Sequence, residues 1–142
     1  MRELLFRGQQ RKKGEKVRLD GSPVESSWFY GNGVLQSQGD FSIIYQSEPV
    51  FSKHSVYSDT IGQYTGLTDK NGTKIFEGDI VRAVTQSTKI YKIYIGAVIF
   101  ENGAFWYKNW SWFKFRFKFK KIEIIGNIYD NPELLEGGEI NA

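Results

Sequence analysis

Three carboxylates and one side-chain amide lie close together in the segment YTGLTDKNGTKIFEGDIVRA, and their oxygen atoms would suit a cation such as Ca²⁺. They belong to Asp69, Asn71, Glu77 and Asp79. An EF-hand loop would place glycine at its sixth position, whereas here Gly72 follows Asn71 directly. Because Asx residues and glycine are also the usual turn formers, we interpret this cluster as a folding signal and predict no metal site there.

Nucleophilic catalysis would have to use His54, the single histidine of the chain. Pairing it with Ser52 or Ser55 would require an orienting acid and a strained nucleophile elbow, and neither motif is present. One histidine and no cysteine leave a transition-metal site short of its usual ligands. We therefore predict no catalytic residue, no cofactor and no enzymatic activity. An enzyme of unknown class, using paired carboxylates, is the second alternative.

Residues 105–121, FWYKNWSWFKFRFKFKK, combine aromatic and basic side chains. From Phe113 onward the two kinds alternate strictly, so a strand would carry phenylalanines on one face and cations on the other. Same-face cations would lie about 6.8 Å apart, and stacking on exposed aromatic rings is worth about 1–3 kcal/mol per base. The segment could thus contact single-stranded nucleic acid or a protein partner through Trp106, Trp110, Trp112, Lys114, Arg116, Lys118 and Lys120.

A structural interpretation of the same segment stays open. The phenylalanines would fill a protein core while Lys and Arg remain in water or pair with acidic residues near the C-terminus. Residues 105–121 contain six basic and no acidic residues, whereas residues 122–142 contain five acidic and no basic residues, although the net charge is only +3. Such a patchy charge distribution suits a phosphate backbone or an acidic partner, including the protein's own tail.

Tight turns must position these residues. Asn71 with Gly72, and Asn102 with Gly103, accept the left-handed backbone of a short hairpin. Gly78 and Asp79 mark another reversal between them. About five short strands with turn signals every 8–12 residues predict a small barrel or sandwich.

A short helix is predicted over residues 130–137, DNPELLEG. Asn131 or Asp130 would cap it, Pro132 fits its first turn, and Gly137 would end it. The first 58 residues are expected to be β-rich, with a boundary near residues 52–59 that does not create two independent domains. The chain has 142 residues, no signal-like start and no apolar run of membrane-spanning length, so we expect a cytoplasmic protein without membrane contact.

Five motifs carry a resemblance to a known family: RELLFRG, WFYG, IGQYTGLTDKNGTKIFEGDIV, GAVIFENGAF and IEIIGNIYDNPELL. They resemble the YopX family, small proteins of bacteriophages and prophages in low-GC Gram-positive bacteria. The resemblance implies an SH3-like barrel in the C-terminal half, a β-rich N-terminal part and a homo-oligomer. It brings no established catalytic residues.

Together these observations predict a mainly β protein that forms a single YopX-like unit. Its parts would be residues 1–58, a barrel with the C-terminal helix over residues 59–136, and a tail over residues 137–142. We expect a non-catalytic phage or prophage accessory module in the host cytoplasm that self-associates. Non-specific binding of single-stranded nucleic acid through residues 105–121 is the first alternative. An acidic protein is a further candidate partner.

Overall fold

The computed structural model describes residues 3–10, 19–20, 28–36, 39–86, 89, 91–137 and 139–141. Strands account for 58% of the structure and helices for 13%, which confirms the prediction of a mainly β protein. The chain divides into two units, residues 1–64 and residues 65–142, and the division falls within a strand. Within the described residues, no helix has the length and apolar character needed to cross a bilayer.

The first unit is built from short antiparallel strands. They are β1 (Phe6–Gln9), β2 (Trp28–Gly31), β3 (Gly33–Gln36), β4 (Phe41–Gln46), β5 (Ser52–Tyr57) and the start of β6 (Gly62–Thr68), with a 3₁₀ turn at Ser58–Thr60. β1 lies between β2 and β6, while β3, β4 and β5 form a separate sheet in that order. The β-rich N-terminal part predicted from the sequence is present.

Close packing in the first unit explains the glycine of the FRG motif. A Cβ atom on Gly8 would lie 2.7 Å from Cγ2 of Val56 and 2.9 Å from Cδ1 of Ile44. Both of these side chains are fully buried. Gly31 is equally confined, because its Cβ would lie 2.4 Å from the carbonyl oxygen of Tyr45. Glycine therefore lets β1 and β2 approach β4 and β5 closely enough to exclude water.

The second unit holds most of the regular structure. Its elements are the end of β6, β7 (Lys74–Phe76), β8 (Asp79–Thr85), β9 (Lys92–Glu101), β10 (Ala104–Tyr107), β11 (Trp110–Ser111), α1 (Trp112–Lys118), β12 (Phe119–Asn127), a 3₁₀ helix at Pro132–Gly137 and β13 (Glu139–Asn141). The main sheet has the order β11-β10-β9-β8-β12, and β13 also pairs with β9. The described strands do not close into a barrel, so the SH3-like detail stays a prediction.

A buried aromatic and aliphatic cluster forms the core of the second unit. Alternate residues of β9 face it, as expected for a strand with one buried side. The hydroxyl of Tyr107 donates a hydrogen bond of 2.9 Å to the carbonyl oxygen of Val81, and burial raises the pKa of Tyr107. The buried members are Ile75, Val81, Ala83, Tyr94, Val98, Tyr107, Phe115 and Phe119.

The hairpin between β9 and β10 has the backbone that its sequence indicates. Asn102 has φ = 51° and Gly103 has φ = 78°, and Glu101 pairs with Ala104 on either side of them. Two consecutive residues with positive φ match the right-handed twist of the flanking strands. The turn therefore fixes the register of β9 and β10.

The C-terminal helix predicted from the sequence is a 3₁₀ helix, Pro132–Gly137. The side-chain oxygen of Asn131 was predicted to accept from the first turn of this helix. Instead, its Oδ1 accepts from the backbone N–H of Asn127, four residues earlier, at 3.3 Å. Asn127 in turn accepts from the backbone N–H groups of Tyr129 and Asp130 through Oδ1, at 3.0 and 2.9 Å. Two asparagines thus hold the turn that precedes the helix, since each side chain accepts from nearby backbone amides.

Candidate interaction surfaces

The carboxylate of Asp69 is occupied by three backbone donors. Its Oδ1 accepts from the N–H groups of Asn71 at 2.9 Å and Thr73 at 3.0 Å, which closes the turn after β6. Its Oδ2 accepts from the N–H of Ile124 in β12 at 3.1 Å. Asp69 is buried, so these bonds replace the water that a free carboxylate would need.

Asp79 has a similar structural use at the start of β8. It is almost fully buried, and its Oδ2 accepts from the backbone N–H of Phe76 at 2.7 Å. The intervening turn is held further because the N–H of Gly78 donates to the carbonyl oxygen of Val98 at 2.8 Å. Within the ranges that the structure describes, no group of three or more His, Asp or Glu residues could hold a metal ion.

His54 lies in β5, opposite Ile44 of β4. Its ring stacks on Phe29 with the ring centroids 4.0 Å apart and the planes at 20°. The imidazole is half-buried by this contact. Stacking against an apolar ring gives His54 a packing role in the first unit.

Residues 105–121 do not form one continuous strand, because residues 112–118 form α1 and β12 begins only at Phe119. The helix begins after Ser111, whose Oγ accepts from the backbone N–H of Lys114 at 3.3 Å. In a strand, Phe113, Phe115, Phe117 and Phe119 would share one face; in the structure only Phe115 and Phe119 are buried. The helical turn brings Trp112 and Phe115 to the core together.

The three tryptophans of the segment pack against other aromatic rings or the backbone, and all are half-buried. Trp110 meets Tyr94 and Phe119 edge-on, with ring centroids 5.0 and 5.1 Å apart. Trp112 stacks on Phe115 at 4.6 Å with the planes at 10°. The indole N–H of Trp106 donates to the carbonyl oxygen of Glu101 at 3.1 Å. These contacts hold each tryptophan in the fold, and one cation, Nζ of Lys118, lies 5.1 Å from the centroid of the Trp110 ring.

α1 instead exposes two phenylalanines that sequence reasoning had placed in the core. Phe113 and Phe117 are 70% and 64% exposed, and their rings meet edge-on at 5.3 Å, as residues four apart on a helix do. Three exposed cations lie on the same helix: Lys114, Arg116 and Lys118. The guanidinium group of Arg116 lies 5.9 Å from the centroid of the Phe117 ring. We call these five residues the α1 surface. It is basic and aromatic, but its exposed rings are phenylalanines rather than the predicted tryptophans, and its geometry is helical.

Lys120 is separated from the other predicted contact residues. It lies in β12 and lines a cavity of about 340 Å³ on the side of the sheet opposite to the core. Other polar residues of that cavity are Arg82, Tyr91 and Lys121, and no sequence pattern had indicated them. Two aliphatic side chains, Val84 and Ile93, also line the cavity.

The sheet of β3, β4 and β5 has a second apolar side. Its inner side carries the buried Ile44 and Val56, and its other side lines an apolar cavity of about 260 Å³. Leu35 and Phe51 on that side are 59% and 63% exposed. The cavity is lined by Leu35, Ile43, Tyr45, Phe51 and Lys53, which we call the outer face. The two consecutive isoleucines in FSIIYQ place one apolar side chain on each side of β4. This pattern is the sequence feature that could have indicated the outer face.

Comparison with known proteins places the chain in one family. A family model described as YopX protein matches residues 21–136, which is most of the chain. No curated protein and no solved structure matches the chain. The match includes the turns around Asp69, Asn102 and Asn131. The chain belongs to the YopX family.

Proposed function

We propose that the protein is a non-catalytic accessory module of phage or prophage origin that self-associates through the outer face of its first unit. The observation that carries this proposal is the apolar character of both sides of the β3–β4–β5 sheet. An antiparallel sheet ordinarily packs one side on a core and presents polar residues on the other. Here Leu35 pairs with Ile43 across β3 and β4, and both line the outer face.

A second copy of the chain is the partner that best fits this face. In an isologous interface each residue of the patch meets the same patch on its partner. The outer face contains one cation, Lys53, and four apolar or aromatic side chains, so two copies can meet with little charge repulsion. The long aliphatic stem of Lys53 can cover apolar surface while its ammonium group reaches water.

The α1 surface does not suit the same kind of pairing. Lys114, Arg116 and Lys118 of two copies would be brought together around the phenylalanines. Like charges at such an interface oppose association unless an anion lies between them. Self-association is therefore assigned to the outer face rather than to α1.

The proposal includes the absence of catalysis. The hydrogen bonds that the acidic side chains accept support this part of it. Asp69 and Asp79 accept hydrogen bonds from backbone N–H groups within turns. A general base or nucleophile instead needs a lone pair that can reach a substrate. His54 is packed flat against Phe29 rather than presented to a cleft with a nucleophile and an acid.

The test compares two phenylalanines of nearly equal exposure. Phe51 on the outer face is 63% exposed and Phe117 on α1 is 64% exposed, so replacing either costs little packing in the single chain. Light scattering over a range of concentrations should give more than one chain per particle for the unmodified protein and for Phe117→Glu. Phe51→Glu should shift the particles towards one chain, because a carboxylate would be buried against its own copy. A monomer at every concentration, or an equal effect of both substitutions, would refute this interface.

Single-stranded nucleic acid is a second candidate ligand, favoured by the α1 surface. Phe113 and Phe117 are exposed rings on which bases can stack, and the surrounding cations can neutralise phosphates. The test is a titration of single-stranded DNA at low and moderate salt with the unmodified protein and with Phe113→Ala. Binding should be strongest at low salt and weakened by the substitution, since counterion release and stacking both contribute. No binding at low salt would remove this candidate.

A further inference from the structure

Lys120 and Lys121 are consecutive residues, yet both line the same cavity. In a regular strand, successive side chains point to opposite sides of the sheet. Here the register between β12 and β8 shifts between Lys120 and Glu123, and Lys121 has φ = 51°. A bulge of this kind turns a side chain that would otherwise face the other side.

The bulge places three cations around one cavity. Arg82 lies two residues before Val84 on β8, and Lys120 is the cross-strand partner of Val84. Arg82, Lys120 and Lys121 all line the cavity of about 340 Å³. Three positive charges around one concave site repel one another unless an anion lies among them.

The nearby carboxylate is already engaged elsewhere. Glu123 is the cross-strand partner of Arg82, but its Oε2 lies 3.1 Å from Nζ of Lys70. Within the described part of the chain, the side chains of Arg82, Lys120 and Lys121 form no ion pair of their own. Among the described residues, the three cations thus have no paired carboxylate, so a bound anion would meet net positive charge in the cavity.

Aromatic and aliphatic side chains also line the cavity. Tyr91 is 49% exposed and lies beside Ile93, whose cross-strand partner is Val84. A flat ring at the edge of a basic cavity can stack with a nucleobase, and the aliphatic residues provide an apolar floor. The cavity volume falls within the range of small-ligand sites.

We propose that this cavity binds a nucleotide, with its phosphates between Arg82, Lys120 and Lys121 and its base against Tyr91. The nucleotide is either a free molecule or one unit of a single-stranded nucleic acid, since both present the same phosphate and base. The inference does not depend on self-association, which uses the outer face of the other unit.

The chain contains a matched control for Lys121. Lys108 is also an exposed lysine with a left-handed backbone, φ = 53°, but it lines a different cavity with Tyr94, Asn109 and Trp110. Asparagine tolerates this backbone conformation, so Lys121→Asn and Lys108→Asn each remove one charge with equal conformational consequences. The comparison separates a defined site from general attraction to a basic protein.

The experiment measures binding of ADP, pyrophosphate and a ten-nucleotide thymidine oligomer by calorimetry at low salt. Lys121→Asn should weaken binding about tenfold to a hundredfold, the loss expected for one charge-assisted contact, and Lys108→Asn should leave it unchanged. Tyr91→Leu should weaken ADP binding about tenfold and leave pyrophosphate binding unchanged. Tight binding of ADP indicates a free nucleotide, whereas binding of the oligomer alone indicates a single-stranded nucleic acid.

Several results would overturn the proposal. One is no binding of any of the three probes to the unmodified protein. Another is an equal loss with Lys121→Asn and Lys108→Asn, which would show attraction to overall charge. A third is a Tyr91→Leu variant that binds ADP as tightly as the unmodified protein does. Self-association is measured separately by light scattering. A failure of nucleotide binding can therefore be distinguished from a failure of the proposed interface at the outer face.

Discussion

The side chain of Phe115 is fully buried, whereas that of Phe113, two residues earlier, is 70% exposed. Phe115 packs against Tyr107 at 4.8 Å and Trp112 at 4.6 Å between ring centroids. Replacing it with alanine should lower the free energy of unfolding by about 3–5 kcal/mol, because a large ring is lost from a packed core. Chemical denaturation would measure the change.

Phe113→Ala provides the control for this prediction. Its effect should stay within about 0.5 kcal/mol, since the side chain already lies largely in water. A strand with all its phenylalanines on one buried face would instead give similar losses at both positions. Equal losses would therefore contradict the helical geometry of α1.

Asp69→Ala should destabilise the second unit by about 3 kcal/mol, because it leaves backbone donors of Asn71, Thr73 and Ile124 without their acceptor. Asp59→Ala, which removes an exposed carboxylate, serves as the control and should change stability by less than about 0.5 kcal/mol. Thermal or denaturant unfolding of the two variants gives the comparison. If Asp69→Ala were as stable as the control, the carboxylate would not be a structural anchor.

Gly8→Ala should destabilise the first unit by about 2 kcal/mol, since the new Cβ would overlap Cγ2 of Val56. The penalty should become smaller in a Val56→Ala background, which removes the nearest atom. Denaturation of the two single variants and the double variant forms a double-mutant cycle. Strictly additive effects would show that the close approach at Gly8 does not determine stability.

Tyr107 should make the protein sensitive to alkali. The pKa of Tyr107 is raised in the folded state, mainly by burial and to a smaller extent by the neighbouring Tyr94. A tyrosine in the unfolded chain ionises at about pH 10. Stability from this group is therefore fully present below about pH 10 and is lost as the pH rises above it, because only the unfolded chain ionises there. Denaturation of the unmodified protein between pH 8 and 11 should show this decline.

The Tyr107→Phe variant isolates the contribution of that hydroxyl. At neutral pH it should lose about 1–2 kcal/mol, because the hydrogen bond to the carbonyl oxygen of Val81 is removed. Its decline above pH 10 should be less steep than that of the unmodified protein. Identical slopes would mean that Tyr107 ionises as easily in the folded state as in the unfolded state.

Local sequence patterns were sufficient for much of the β framework. The pair Asn102 and Gly103 predicted a hairpin because its residue types prefer the positive φ angles that the turn adopts. Alternation of apolar residues likewise indicated strands such as β9, whose buried residues alternate along its length. These features depend on neighbouring residues, so the sequence alone carries the information.

The sequence-based predictions failed where contacts between residues far apart in the chain determine the conformation. The pattern FKFRFK favours a strand by its period, but Trp112 and Phe115 reach the aromatic core only from a helix. The bulge at Lys121 contains no glycine or asparagine that would have indicated a left-handed residue. Local sequence patterns therefore could not predict the cavity beside it. That cavity is formed by three strands and the residue before β9.

The contacts of Asp69 join a local turn to a strand that lies far away in the sequence. One oxygen closes a turn of a few residues, while the other holds an amide that lies 55 positions further along the chain. Opening the turn would therefore remove the acceptor of the Ile124 amide in β12, and loss of that amide would leave one oxygen of the buried carboxylate without a donor. We expect the hairpin and the distant strand to lose amide-exchange protection in the same event, so that this half of the molecule melts as one cooperative body.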